Sequence, residues 1–543
     1  MQRRLVVASA IAVVMTAAFL PGSGFGSSAR AARGMQGVPA GLTAAIHARL
    51  GAGTIKSSFA ARAEPGPYFG YNVALSADGT TALVGAPGVG HLRGAAYVFH
   101  ASDAASWTST DTPVAGLSSN APGRVNKFFG LSVALSADGT TAFVGAPLAG
   151  SSQTTVGAIY VFHVSAEDAW TSTSTPMAAL TASGDILVGL SLAASPDGTT
   201  LIVGAPFSGY EAGGAYVFHA ASESAWASTS TPTATLSNGS EDPYDAGVGL
   251  AVAISGDGTT ALLSDQDNPS GGGAYLYNVS AEDAWTTDST PTAILSDATS
   301  GEGDGLGVSL ALSADGTVAL LGAPGVYGNT GAVDIFHTAS EAAWASTSTP
   351  TAILTTAGGA LKDEFGLRSA LSTDGTTALV SAPGRATARG AAYLFRVADE
   401  GSWVSNSSPT ATLTSAGAHV GDSLGVGLAF SADGATAILG APEVHFETGA
   451  ASVFHVADAS SWLSSSAPTA ILTDSALNQC VVPRLKGLKV LAARSALKAR
   501  SCSLGRVRRV VHRSGRRGRV FAQSASPGTR LALGAKVAIK VKK

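Results

Sequence analysis

The residue best placed for chemistry in this chain is an aspartate that recurs about every 60 residues. It stands in "LSADGTTALVGAP" at Asp78 and in "LSADGTTAFVGAP" at Asp138. The later copies are Asp197, Asp257, Asp315, Asp374 and Asp433. Calcium takes six to eight oxygen ligands, several of them carboxylates, but the residues four and two before Asp78 are Ala74 and Ser76, and every copy repeats that pair. One carboxylate and one hydroxyl do not complete a calcium site, so the pattern predicts that these aspartates form turns.

The fourth repeat departs from the others in the loop "LSDQDNPSGGG". Here Asp265 and Asp267 stand two residues apart, and Asn268 follows. Two carboxylates and an amide in a glycine-rich loop can supply part of the ligand set of a cation. The alternative interpretation is a solvated loop in a repeat that has diverged. Asp265 and Asp267 are therefore the only metal candidates, for calcium, and no other cofactor is expected.

No catalytic residue is predicted. Ser132 in "GLSVA" and Ser309 in "GVSLA" approach the nucleophile motif G-x-S-x-G, but that motif needs a strained turn from strand to helix with acid and histidine partners. Both serines lie inside repeated strand segments. Five histidines end equivalent segments of the type "YVFH", where Asn278 and Arg396 stand in two other repeats: His100, His163, His219, His337 and His455. This regularity predicts a structural position, and the protein is not expected to be an enzyme.

These residues belong to seven copies of one unit, each marked by a tryptophan at a mean spacing of about 59 residues. The tryptophans are Trp107, Trp170, Trp226, Trp285, Trp344, Trp403 and Trp462. In the first unit "FGYNVALSA", "TTALVGAP", "GAAYVFH" and the tryptophan segment are each typical of a short strand, and the Asp-Gly pair predicts a hairpin with a type I′ turn. Four strands per unit predict an all-β, seven-bladed β-propeller over residues 67–477, with the tryptophans between blades.

The first repeat combines Phe69-Gly70 with a GAP triplet at 85–87, and the second combines Phe129-Gly130 with GAP at 145–147. These pairs resemble the FG-GAP repeat of integrin α-chain propellers and their bacterial relatives. The resemblance implies a propeller fold, which hosts many unrelated functions. Blades of that family often carry a calcium loop of the form D-x-D-x-D-G. The corresponding positions of this chain read A-x-S-x-D-G, so calcium binding does not carry over to these turns.

The N-terminus has the composition of a secretory signal peptide. Arg3 and Arg4 form a basic start, residues 5–20 are almost wholly apolar, and "SSARA" ends at Ala31 with small residues typical of a cleavage site. The apolar run of about 16 residues is shorter than the roughly 20 of a membrane-spanning helix. We expect residues 1–31 to be removed and the protein to be secreted, without a membrane span. Residues 32–66 are expected to be a linker that contains a candidate ring-closing strand, around "IKSSFAAR".

Charge is divided unevenly, although the formal total is only −4. Residues 34–479 contain 11 Lys and Arg against 37 Asp and Glu, whereas residues 480–543 contain 18 Lys and Arg and no acid. This change predicts a separate basic domain at residues 478–543. Strand-like and helix-like patterns alternate there, through "VVPRLKG", "LKVLAARSALKAR", "RVRRVVH", "GRVFAQS" and "AKVAIKV", and predict a small α+β fold of order β-α-β-β.

That order, with "VP" at its start and "QSASPGT" near its end, resembles a PASTA domain. The positions that fit are Val482, Pro483, Gly487, Leu497, Val520, Gln523, Pro527, Gly528, Gly534 and Val537. PASTA domains are extracellular and are linked to peptidoglycan in the kinases and penicillin-binding proteins that carry them, so the resemblance implies association with the cell wall. The positive charge independently favours an anionic wall polymer. Nucleic acid is the other polyanion, and export disfavours it.

The two cysteines, Cys480 and Cys502, lie in this basic domain. An even pair in an exported protein predicts a disulfide. Closing a loop of about 22 residues is worth roughly 3 kcal/mol in the chain-entropy model, a large share of the stability of so small a domain.

Three functions are compatible with these patterns. The first is an exported, non-enzymatic binding or adhesion protein whose propeller loops bind an unknown protein or glycan, while the tail associates with peptidoglycan or an anionic wall polymer. The alternative is a secreted propeller enzyme acting on a polysaccharide or glycoconjugate. A third is a scaffold that binds only other copies of itself or neighbouring wall proteins.

Overall fold

Seven four-stranded antiparallel sheets follow one another along the chain, one for each predicted repeat. The computed structural model describes residues 66–119, 128–150, 157–182, 187–206, 208, 213–240, 247–266, 271–444, 448–475, 477, 479–498, 502–511, 517–532 and 535–543. Within each sheet the strands are hydrogen-bonded in chain order. The sheets, called blades 1 to 7 below, fit a repeat β-propeller.

Each blade has a short first and fourth strand around two longer ones. Blade 1 contains β1 (Val73–Leu75), β2 (Thr81–Ala86), β3 (Ala95–His100) and β4 (Ala115–Leu117). Blade 2 contains β5 (Val133–Leu135), β6 (Thr141–Ala146), β7 (Ala158–His163) and β8 (Ala178–Leu180). Blade 3 contains β9 (Leu192–Ala194), β10 (Thr200–Gly204), β11 (Ala215–His219) and β12 (Ala234–Leu236). Blade 4 contains β13 (Val252–Ile254), β14 (Thr260–Ser264), β15 (Ala274–Asn278) and β16 (Ala293–Leu295).

The last three blades repeat this arrangement. Blade 5 contains β17 (Ser309–Leu312), β18 (Val318–Ala323), β19 (Ala332–His337) and β20 (Ala352–Leu354). Blade 6 contains β21 (Ser369–Leu371), β22 (Thr377–Ala382), β23 (Ala391–Arg396) and β24 (Ala411–Leu413). Blade 7 contains β25 (Gly427–Phe430), β26 (Thr436–Ala441), β27 (Ala450–His455) and β28 (Ala470–Leu472). Single helical turns follow the second strand at Val89–Leu92, Val326–Asn329 and Arg385–Ala388.

The blades form a closed ring. Two parallel bridges join blades 1 and 2, Gly94 with Phe129 and Leu117 with Thr173. Equivalent bridges join each later pair of blades, and blade 7 meets blade 1 through Phe69 with Gly449 and Thr110 with Leu472. Closure therefore uses the same contacts as every other junction. The predicted ring-closing strand falls almost wholly in residues 32–65, which lie outside the described residues.

The FG pair follows from this close approach of neighbouring blades. Phe69 is fully buried in the core between blades 7 and 1. Gly70 has a φ of +85°, and a Cβ added to it would lie 2.4 Å from the Ala450 carbonyl oxygen of blade 7. A side chain at this position would therefore collide with the backbone of the neighbouring blade, so glycine is required.

Each tryptophan lies between two blades, as predicted. Trp107 packs in one apolar cluster with Phe69 of its own blade and Val453 of blade 7, and the other six occupy equivalent clusters. Every indole N–H also donates to the carbonyl of an Asp-Gly glycine in its own blade. These bonds, 2.7 to 2.9 Å long, reach Gly79, Gly139, Gly198, Gly258, Gly316, Gly375 and Gly434.

The described residues of the basic tail form one helix and five strands. They are β29 (Gln479–Val481), α1 (Val490–Lys498), β30 (Ser503–Val510), β31 (Val520–Gln523), β32 (Arg530–Ala532) and β33 (Lys536–Lys542). β33 lies between β30, which is parallel to it, and antiparallel β31, while β29 pairs with β32. The predicted order β-α-β-β has three strands, so two of these five, including the short β32, are absent from it. No helix among the described residues has the length and apolar character needed to cross a membrane.

We expect Trp462→Phe to destabilise the propeller, because it removes the bond to the buried Gly434 carbonyl and leaves a gap between blades 6 and 7. An unsatisfied buried carbonyl costs about 1–3 kcal/mol, before any cavity term. The measurement is the urea midpoint followed by circular dichroism. Leu463→Ala is the matched control, since that neighbouring side chain is 78% exposed. Equal midpoints for the two variants would contradict the role given to the indole.

Candidate functional site

The carboxylate of Asp78 accepts hydrogen bonds within its own turn. It accepts hydrogen bonds from Ser76 Oγ (2.7 Å) and from the Thr80 backbone N–H (3.0 Å) and Oγ1 (2.9 Å). Burial alone would raise the pKa of this carboxyl, but these bonds outweigh burial and hold the pKa below its usual value. The same serine contact, 2.5 to 2.6 Å long, recurs at Asp138, Asp197, Asp257, Asp315, Asp374 and Asp433. The prediction that these aspartates form turns is confirmed.

The predicted type I′ turn is wrong, although the hairpin forms. The Gly79 N–H donates to the Ser76 carbonyl (3.0 Å), which makes Asp78 the third residue of the turn, and only Gly79 has a positive φ. Ser76 Oγ accepts further bonds from the Thr80 and Thr81 backbone N–H groups. The hairpin loop that Ser76 stabilises is therefore longer than the two-residue loop of a type I′ turn. The pattern of apolar residues does not reveal the side-chain bonds that hold it.

A belt of backbone hydrogen bonds links these turns around the ring. The Ala77 N–H donates to the Ala137 carbonyl (2.8 Å), and the Ala137 N–H donates to the Pro196 carbonyl (2.7 Å). The bonds that continue the belt run from Gly256 to Ala314, Ala314 to Thr373, Thr373 to Ala432 and Ala432 back to Ala77. Pro196 has no N–H to donate, so one junction lacks the bond. The seven turn aspartates therefore surround the ring axis at one end, called the turn end below.

Glutamates three residues before the tryptophan connect neighbouring blades at this end. Glu167 of blade 2 accepts from Thr80 Oγ1 (2.6 Å) and Thr81 Oγ1 (2.9 Å) of blade 1, and it lies 3.4 Å from His100 Nδ1. Glu223, Glu341 and Glu400 accept equivalent threonine bonds of 2.9 to 3.1 Å. Sequence reasoning missed these residues. Their recurrence at one offset from the tryptophan, in blades 2 to 6 only, was the available signal.

The histidines occupy a structural position, as predicted. His100, the last residue of β3, has its Nδ1 2.9 Å from Oγ1 of Thr81, the first residue of β2. His163, His219 and His455 make the same contact. Asn278 and Arg396 replace histidine and donate to the equivalent threonine hydroxyls at 2.6 and 2.9 Å. Three different side chains thus fill one hydrogen-bonding role. The two serines of the G-x-S-x pattern, Ser132 and Ser309, donate to carbonyls of the next blade instead.

The candidate cation loop of blade 4 is only partly described. Asp265 is 2% exposed, and its carboxylate accepts a hydrogen bond from the Tyr275 hydroxyl (2.8 Å). Asp267 lies outside the described residues. Within the described part of the chain, no three His, Cys, Asp or Glu side chains are grouped so that they could hold a metal ion. Asp265 and Asp267 stay candidates for a cation site, beside the alternative of a solvated loop in a diverged repeat.

Asp334 is an acid that sequence reasoning missed. It lies on β19 opposite Leu321, at the register position that tyrosine occupies in five other blades. The five are Tyr97, Tyr160, Tyr216, Tyr275 and Tyr393. Asp334 is 3% exposed, and its Oδ2 accepts no hydrogen bond from any described residue. Burial raises the pKa of this carboxyl to about 7, and the carboxylates of Asp297 and Asp304 add to the rise.

The tail presents a basic sheet face. Val537, Ile539 and Val541 of β33 are buried in one core with Ala493 and Leu497 of α1. Side chains alternate along a strand, so Lys536 and Lys540 point away from this core, and both are exposed. Arg508, also exposed, is paired with Lys540 in the parallel ladder and shares its side. These three residues are called the basic face below.

The predicted disulfide is not tested. Cys502 is buried in the tail core, and the described residues include no free cysteine. The Cys480 side chain lies outside the part of the chain that is described, so its bond with Cys502 stays a prediction.

We expect Asp334→Asn to stabilise the protein above neutral pH. The unfolded carboxyl has a pKa near 3.9, and the folded one titrates at about 7. Between these values the folded chain holds more protons, so the free energy of unfolding of the native sequence falls as pH rises. The variant should gain roughly 2–4 kcal/mol at pH 8 and only about 0.5 kcal/mol at pH 4. Unfolding measured against pH checks this. Asp168→Asn, at an exposed aspartate, should leave the pH profile unchanged; identical profiles for all three proteins would refute the assignment.

Calcium should leave the unfolding temperature unchanged. Each turn carboxylate is already satisfied by its own serine, and Asp78 by its threonine as well, while calcium needs several free carboxylate oxygens. The measurement compares melting in EDTA and in millimolar calcium. Stabilisation by calcium would point to the Asp265–Asp267 loop, and Asp267→Asn should then abolish it.

A protein-family model described as FG-GAP repeat matches residues 59–99. This stretch contains Phe69-Gly70, the GAP triplet, the first two strands of blade 1 and all but the last residue of the third. No curated protein matches the chain. Together, the FG-GAP match and the seven repeated four-stranded sheets fit a repeat β-propeller, which confirms the fold implied by the first of the two resemblances.

Proposed function

We propose that this protein is an exported, non-enzymatic binding protein, in which the propeller presents an interaction platform and the basic tail associates with peptidoglycan or an anionic cell-wall polymer. The single observation that carries the proposal is the basic face. Arg508 is paired with Lys540, Lys536 lies four residues before Lys540 on the same side of the strand, and all three are exposed in a unit without one acidic residue. Such a surface attracts polyanions. The PASTA-like pattern of residues 478–543 and the signal-like N-terminus support an extracellular, wall-associated setting.

The propeller contributes surfaces rather than reacting groups. Its turn aspartates accept hydrogen bonds within their own turns, and four of its five strand-end histidines lie within hydrogen-bonding distance of a threonine on the adjacent strand. Asp334 has the raised pKa that a general acid needs, but it is buried between strands and does not reach a polysaccharide. Segments whose sequence differs between repeats, such as residues 240–245 and 301–305, are where we propose that a protein or glycan ligand is recognised.

Removal of residues 479–543 should abolish binding to insoluble peptidoglycan. All 28 blade strands lie before residue 473, so the truncated chain keeps its ring. The measurement is co-sedimentation of the chain lacking residues 1–31, with and without the tail, at low and moderate salt. We expect binding of the longer chain that weakens as salt screens the charge. Equal sedimentation of the two proteins would assign binding to the propeller, and no sedimentation of either would refute the proposal for the tail.

A further inference from the structure

The acidic charge of the ring is concentrated in four blades. Residues 128–361, from β5 to β20, contain 22 Asp and Glu and no Lys or Arg. All eight Lys and Arg of residues 66–477 lie within 93–127 or 362–396, in or next to blades 1 and 6. Blades 2 to 5 therefore form a continuous negative arc, whereas the blades beside blade 7 carry compensating charges.

Exposed carboxylates mark this arc at the turn end. In an antiparallel sheet the connection between the first two strands and that between the last two lie at the same end. The turn aspartates and the segments before the tryptophans therefore share one surface. Its exposed acids in blades 2 to 5, called the acidic arc below, are Asp138, Asp168, Asp197, Asp257, Asp283 and Asp315. Hydrogen bonds from serine and threonine lower the pKa of four of them against the opposing effect of burial, so they stay ionised in mildly acidic solution.

The basic face of the tail has the complementary charge and no described element against it. Arg508 lies on β30, an edge strand of the three-stranded sheet, and Lys536 and Lys540 lie on the central strand β33. From Arg506 to Val510 every residue of β30 is exposed. The tail contains 18 Lys and Arg and no acid that could pair with them. Charge is thus separated between two units of the same chain.

We infer that the basic face docks on the acidic arc of a second copy of this chain. Only six residues separate β28 from β29, a span of at most about 25 Å. Within the same chain this tether holds the tail near blade 7, whose neighbours, blades 6 and 1, carry the Lys and Arg of the ring. Blades 3 and 4 are the farthest from blade 7 around the ring. The arc is therefore better placed for the tail of another molecule.

The expected assembly is head to tail. Each molecule would offer an arc to one neighbour and a basic face to another, and such a heterologous contact grows into chains unless its geometry closes a ring. Since the attraction is between exposed charges, it should weaken at high ionic strength. This contact goes beyond wall association, because the partner is another copy of the protein.

The test is sedimentation velocity of the chain lacking residues 1–31, at increasing concentration and at low and high salt. We expect the mass at low salt to rise at least about twofold over the monomer and to return to the monomer at high salt. Arg508→Glu/Lys540→Glu should stay monomeric. Arg484→Glu/Lys486→Glu is the control, since it makes the same charge change at exposed residues in the loop before α1 and should associate like the native chain.

Mixing two variants separates docking from misfolding. Asp168→Lys/Asp283→Lys removes charge from the arc and keeps the basic face, so alone it should also stay monomeric. A mixture of this variant with Arg508→Glu/Lys540→Glu contains one intact arc and one intact basic face. It should give a 1:1 complex that does not grow further, which two misfolded proteins would not form.

Three results would overturn the inference: a native chain that stays monomeric at low salt, association that persists in Arg508→Glu/Lys540→Glu, or equal loss in the Arg484→Glu/Lys486→Glu control. Co-sedimentation of the same variants with peptidoglycan keeps this result apart from the proposed function. If the native chain binds peptidoglycan but stays monomeric, only the inferred contact between copies is refuted. If the native chain associates with itself but does not bind peptidoglycan, the proposed wall partner is refuted and the contact between copies stands.

Discussion

The structure depends on the hydrogen bond between each tryptophan indole and the carbonyl of its Asp-Gly glycine. It joins the last quarter of a blade to the hairpin between its first two strands, and it places the indole ring in the core shared with the preceding blade. The same hairpin is fixed by Ser76 and Thr80 and linked by Ala77 to the next turn. One turn thus bonds to the tryptophan segment of its own blade and contacts both neighbouring blades. These several roles explain why thirteen residues recur nearly unchanged.

The repeated use of this turn also sets the charge of the ring. The turn needs a side chain that accepts from a serine hydroxyl and from the backbone N–H of the residue after glycine, and an aspartate does so at each repeat. Seven repeats then place seven carboxylates around one end of the axis. Glu167 and its counterparts add a second set between blades. The negative charge is therefore a consequence of how the ring is built. Asp334 differs, because it replaces a tyrosine in the core and receives no compensating hydrogen bond at Oδ2.

What the sequence predicts well is what repeats within one unit. Seven blades, the position of each tryptophan and the structural role of His100 follow from periodicity and composition. Contacts between units were missed, since Glu167 acts on Thr80 of the preceding blade, 87 residues away. Asp334 was missed for a related reason. Its departure from tyrosine is visible in the sequence, but its burial depends on the pairing of β18, β19 and β20, and its raised pKa depends partly on Asp297. The predicted turn type was wrong because hydrogen bonds of the Ser76 side chain override the usual preference of Asp-Gly for a type I′ turn.

The separation of charge between ring and tail has a consequence for both partners proposed for the basic face. A wall polymer and the acidic arc are both polyanions, and both would meet Arg508, Lys536 and Lys540. They would therefore compete, since one molecule would not offer the same face to both at once. At a wall rich in anionic polymer, the polymer would occupy the basic face, and the acidic arc of each propeller would then be uncovered. Away from the wall, the arc of a neighbouring copy would cover it. Contact between copies and attachment to the wall are then alternative states of one surface.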